Sequence, residues 1–182
     1  EITLINCTFS NNVAVSGGAI FAKYGSLNIE DSLFINNYAE LFGGAIASIG
    51  TTLNMNNVIS RNNKADVDGG VVYSFDDSSV RVINSNFINN SASRGGAMFQ
   101  NSATKCNFTY NSAEYGGAMA SAFSDNCNFL YNTAKIQGGA IDEGGADSSI
   151  FRYNSAYNGG AVSLSDIRLC GLFYNNASEY GG

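Results

Sequence analysis

The side chains able to do chemistry in this 182-residue chain are few, and their spacing is peculiar. There is no His and no Trp, so imidazole ligands and bases are absent. Cys106 and Cys127 lie 21 residues apart, and so do Tyr110 and Tyr131. Asp125 and Asp147 lie 22 residues apart, as do Tyr131 and Tyr153. Thiols, phenols and carboxylates therefore recur on one clock, and chemistry has to be judged after the clock is explained.

Each type admits a chemical and a structural meaning. Cys7, Cys106, Cys127 and Cys170 stand two residues before a Phe or Leu, where other copies carry Ser32, Asn57, Ser85 and Ser149. Stacked copies would place only Cys106 and Cys127 on neighbouring layers, with parallel Cβ atoms about 5 Å apart against the preferred ~3.8 Å of a disulfide. Free buried thiols filling apolar space are expected, with a Cys106–Cys127 bridge as the alternative. Zinc is excluded by the lack of His and of CxxC spacing. Tyr110, Tyr131, Tyr153 and Tyr174 form a second column, preceded in earlier copies by Asn11, Asn36, Arg61 and Asn89. A stabilising ring stack and an aromatic binding platform for sugar or protein both fit it. Thr104, Asp125, Asp147 and Arg168 form a third column, in which paired carboxylates could hold a cation or act as acid and base. Arg168 is placed to compensate them, and a solvated turn is the simpler expectation. Asp66-x-Asp68, Asp76/Asp77 and Asp142/Glu143 read as surface charges. N-x-S/T sequons occur at Asn6, Asn89, Asn107 and Asn176. Asn107 lies between two inward residues, so it is the first glycan candidate in a eukaryotic source. The sequence calls for no cofactor and no metal.

The elements that set the clock are two motifs. Gly-Gly pairs begin at Gly17, Gly43, Gly69, Gly95, Gly116, Gly138, Gly159 and Gly181, in steps of 26, 26, 26, 21, 22, 21 and 22 residues. Before each stands an apolar residue and, three later, an Asn: Phe9/Asn12, Phe34/Asn37, Ile59/Asn62, Phe87/Asn90, Phe108/Asn111, Phe129/Asn132, Phe151/Asn154 and Leu172/Asn175. Units this short, with Gly-Gly inside, oppose helix. Period-two runs such as Leu27-x-Ile29 and Leu53-x-Met55 demand strands with one buried face. The prediction is an all-β, right-handed parallel β-helix of about eight coils of 21–26 residues. The eight Asn would form a ladder at a turn, tolerating left-handed backbone. The five extra residues of the early units would lengthen the segment after Gly-Gly.

Composition bounds the role. Net charge is −6 with only 13% charged residues, which argues against nucleic acid and anionic lipid. No apolar run could span a bilayer. The first and last residues fall mid-repeat, so residues 1–182 are expected to be one β-helix segment of a longer chain.

The combination of GGA[I/V] with FxxN resembles the repeats of chlamydial polymorphic membrane proteins and of adhesin-like surface proteins. That resemblance implies a β-helical passenger segment, extracellular or at the cell surface, often concerned with adhesion. Ile59 and Leu172 in place of Phe, and Val71 in place of Ala, depart from the pattern. The expected function is a non-enzymatic structural or adhesive stalk. Its partners would be a host or neighbouring cell-surface protein or glycan, or further copies stacked end to end or laterally. The alternative is a polysaccharide lyase or hydrolase of the pectin-degrading type, disfavoured because the coils are uniform and no long insertion frames a cleft.

Overall fold

The computed structural model describes residues 1–75 and 78–181, so Asp76 and Asp77 lie outside the described residues. All described regular structure is strand, and every pairing between named strands is parallel. The chain is a β-solenoid. Its clearest wall is an eight-stranded sheet running from Thr8–Ser10 through Leu33–Ile35 to Gly171–Phe173. Eight such strands bound about seven complete turns, slightly fewer than the eight coils expected. At about 4.8 Å per layer, seven steps separate the first and last of these strands by roughly 34 Å.

Stacking follows the repeat. Phe87 pairs with Phe108, Phe108 with Phe129 and Phe129 with Phe151. Their rings stack at 4.9, 4.9 and 4.7 Å and are fully buried. The residue two past each Gly-Gly (Ile46, Val72, Met98, Met119, Ile141) fills the opposite side of the core.

One copy corrects the sequence register. Phe34 and Phe87 both pair with Ser60, not Ile59, and Ile59 is exposed. The third ladder residue is therefore Asn63, not Asn62, and the Cys/Ser column holds Val58, not Asn57. Apolar character points to Ile59 as the Phe equivalent, but alternation in Ile59–Arg61 turns Ile59 outward and Ser60 inward. Ser60 Oγ is buried with no hydrogen-bond partner among the described residues.

The glycine corner leaves no room for side chains. A Cβ on Gly44 would lie 2.1 Å from the Gly70 carbonyl oxygen of the next coil. Gly43 takes φ +62°, where glycine alone is unstrained.

The extra residues of the early units do follow Gly-Gly. There the chain runs as single eleven-residue strands, Ile20–Glu30 and Ile46–Asn56. In later coils the same wall is cut in two, as Met98–Phe99 and Ser102–Thr104, by Gln100 at φ 57°. Ser121, Glu143 and Leu164 repeat that break at φ 49°, 51° and 47°. A broad wall thus forks into two narrow ones. The core thins with it: Met55 and Val82 give way to Ala103, Ser124 and Ala146 in the same column.

Candidate functional site

The corner between the Phe strand and the wall before Gly-Gly carries the densest side-chain order. The row is Asn12, Asn37, Asn63, Asn90, Asn111, Asn132, Asn154 and Asn175, buried from Asn37 to Asn154 and joined without a break by side-chain amide bonds of 2.9–3.1 Å. Asn63 illustrates the wiring. Its Nδ2 donates to Asn90 Oδ1 at 3.1 Å and to the Phe34 carbonyl at 2.9 Å. Its Oδ1 accepts from the backbone N–H of Asn37 at 3.0 Å and from Asn37 Nδ2 at 2.9 Å. Each interior amide is thereby satisfied where water cannot reach, which a buried polar group requires.

The left-handed residue at this corner is not the ladder Asn, as expected, but the one before it. Asn11, Asn36, Asn62, Asn89, Tyr110, Tyr131, Tyr153 and Tyr174 all have φ between 54° and 57°. Asn adopts this conformation readily, whereas Tyr does so at roughly 1–2 kcal/mol. The four tyrosines stack at 5.2, 5.0 and 5.3 Å, with planes within 12°. Each pair returns about 0.5–1.5 kcal/mol, so strain and stacking are of one size. Rings stacked along the fibre direction cover one another's faces. What the column turns to solvent is a row of ring edges and hydroxyls, not a flat aromatic platform.

The cysteines share the neighbouring corner and are all free. Cys106 and Cys127 fill apolar space in the core, as expected, and also act as hydroxyl substitutes. The Cys106 N–H donates to Cys127 Sγ at 3.4 Å, as the Cys127 N–H donates to Ser149 Oγ at 3.0 Å. Each thiol in turn donates to the carbonyl two residues earlier, Thr104 for Cys106 at 3.3 Å and Asp125 for Cys127 at 3.3 Å. Sharing a proton with Cys106, together with burial, pushes the Cys127 thiol up.

Thr104, Asp125, Asp147 and Arg168 do stand in register. Among the described residues no cluster of three or more Cys or carboxylate side chains could hold a metal ion. The sequon residues Asn6, Asn89, Asn107 and Asn176 are exposed. Asn107 also belongs to an outer amide row, donating to Asn86 Oδ1 at 2.9 Å and accepting from Asn128 at 3.0 Å.

Two carboxylates expected on the surface are buried. Asp68 is 2% exposed and takes a bidentate grip from Arg94, Nε to Oδ1 and Nη2 to Oδ2, both at 2.7 Å. Asp142 is 4% exposed, and its Oδ1 has no hydrogen-bond partner among the described residues. Burial, with Glu143 beside it, holds its carboxyl above the usual range, against a smaller effect of the Ser163 hydroxyl. Both columns alternate aromatic, small and charged residues, so no repeated letter marks them as inward.

Stacked parallel coils, inner amide ladder and glycine corner together define a β-solenoid repeat protein. The sequence model of the Chlamydia polymorphic membrane protein (Chlamydia_PMP) repeat matches residues 6–23 and 31–49, and the chain carries repeats of that type. No curated protein and no solved structure matches it.

Proposed function

We propose that this chain is a rigid, non-enzymatic β-helical spacer of a surface or secreted protein, with adhesion carried on its flanks. The supporting observation is the unbroken ladder from Asn12 to Asn175, which ties the coils into one stiff rod and leaves no coil free to open as a cleft. Repeats of the polymorphic membrane protein type point the same way, since that family is one of surface proteins. The outer strip of Tyr110, Tyr131, Tyr153 and Tyr174 is the proposed contact. It offers phenol hydroxyls about every 5 Å, set by the coil spacing, to a protein or glycan on a host or neighbouring cell.

Beads coated with purified protein should adhere to cultured epithelial cells saturably, and free protein should compete. Replacing Tyr131 and Tyr153 by Asn, the residue of the earlier coils, should weaken adhesion while the melting temperature holds. Adhesion no better than albumin-coated beads, or cleavage of polyuronate abolished by Asp125→Asn or Asp147→Asn, would overturn this reading.

A further inference from the structure

A second site lies on another wall, where the chain forks. The residue after the inner Ile/Val/Met column forms its own row: Tyr73, Phe99, Ala120, Asp142 and Ser163, in register on successive coils. Tyr73 and Phe99 stack at 5.7 Å, and the aromatic run stops there. Ala120 brings only a methyl, so one layer of side-chain space is missing between the Phe99 ring and Asp142. A recess of about 280 Å³ opens at that point, bounded by Arg94, Phe99, Tyr115, Gln137, Asp142 and Glu143.

The charges in this recess do not balance. Arg94 lies over the Phe99 ring at 4.6 Å, but its charge is already engaged by Asp68 through two bonds of 2.7 Å. Glu143 feels Arg94 only through space, and no ion pair among the described residues engages Glu143 or Asp142. Asp142 Oδ1 is an acceptor, buried and orphaned, so the group it lacks is a donor. A buried carboxylate next to a second carboxylate favours a donor that is also positive. A divalent ion would be short of ligands, because no cluster of three ligating side chains occurs among the described residues. An aromatic wall beside paired carboxylates suits a compact organic cation.

We propose that the recess between Phe99 and Asp142 binds an alkylammonium group of the kind carried by a lysine side chain. Phe99 and Tyr115 flank the methylene stem, Ala120 forms the floor, and Asp142 with Glu143 receives the ammonium head. The site is independent of the tyrosine strip and stands whether or not that strip is adhesive.

The test is an NMR titration of the purified chain with Nα-acetyl-lysine N-methylamide. Its neutral analogue lacking the ammonium, Nα-acetyl-norleucine N-methylamide, the arginine equivalent and calcium chloride are run as parallel arms. The lysine compound should shift the Phe99 and Tyr115 ring signals saturably, at least about tenfold more tightly than the norleucine compound. Asp142→Ser should abolish the response; Ser163 in the same row shows that the backbone accepts Ser there. Ala120→Phe, which extends the aromatic row of Tyr73 and Phe99, should abolish it by filling the space while every charge is kept. Equal response to norleucine, tighter binding of arginine or calcium, or lysine binding that survives Asp142→Ser would overturn the proposal. So would the absence of any saturable shift.

Discussion

The first three coils and the last four are built on one corner plan but differ in girth and in surface chemistry. The first two coils run a single eleven-residue strand after Gly-Gly and carry Leu27, Ile29, Leu53 and Met55 inside. Later coils break that strand and carry Ala103, Ser124 and Ala146. At the left-handed corner Asn11, Asn36, Asn62 and Asn89 give way to Tyr110, Tyr131, Tyr153 and Tyr174. The buried Asn ladder and the glycine corner cross the boundary unchanged. Closure of the coil is thus separate from its width: backbone pairing and two invariant corners hold the rod, while walls and outer rows are free to vary.

The strongest way to break this comparison is at the glycine corner, where both parts should respond alike. Gly44→Ala would put Cβ 2.1 Å from the Gly70 oxygen, and Gly117→Ala would put it 2.2 Å from the Gly139 oxygen. Either should abolish the cooperative thermal transition followed by circular dichroism. A mild effect in one part alone would mean that the corners are not equivalent.

The Phe column comes next. Phe129→Ser copies the natural Ser60 into the narrow coils and should cost about 3–5 kcal/mol in urea unfolding, the usual loss for a large buried ring. Ser60→Ala in the wide coils should instead stabilise by up to about 1 kcal/mol, because it removes a buried hydroxyl without a partner.

The ladder separates the corrected register from the expected one. Asn63→Ala orphans the Asn37 donors and should cost about 3 kcal/mol, whereas exposed Asn62→Ala should cost only the left-handed strain of Ala, about 1–2 kcal/mol. Reversal of that order would restore Asn62 to the ladder.

The smallest effects are expected on the outside. Tyr131→Asn should change stability by less than about 1 kcal/mol, since relief of left-handed strain offsets the lost stacking. Asp142→Asn adds a pH signature. A carboxyl held up in the folded state destabilises that state when ionised, so the native chain loses stability as pH rises through the raised value. The variant should therefore be more stable than the native chain at pH 7 and lose that advantage below about pH 4. An advantage independent of pH would show that Asp142 is not the titrating group.

Repetition made much of this legible. The Gly-Gly steps and the Phe–Asn spacing disclosed parallel layers and the Phe core, and the change from 26 to 21 residues placed the extra chain after Gly-Gly. Legibility failed where a copy broke the pattern. In the third coil hydrophobicity pointed to Ile59, but the ladder bonds require Asn63, and strand alternation then puts Ser60 inside. Asp68 and Asp142 looked like surface charges because their rows share no residue type. The cysteine column was legible as a column, but the hydrogen-bonding duty of its thiols was not, because Ser and Cys differ little in size.

By itself the sequence determined the layer height, the parallel stacking and that the Phe and Ile/Val/Met rows face inward, since each follows from recurrence at fixed spacing and from period-two burial. Only the tertiary structure decided which corner residue turns left-handed, that Arg94 reaches Asp68 one coil away, and that Ala120 leaves Asp142 facing a vacant layer. Those outcomes depend on side chains 21 to 26 residues apart meeting across a gap of one strand, where the neighbour's volume and charge, rather than a residue's own type, set what it does.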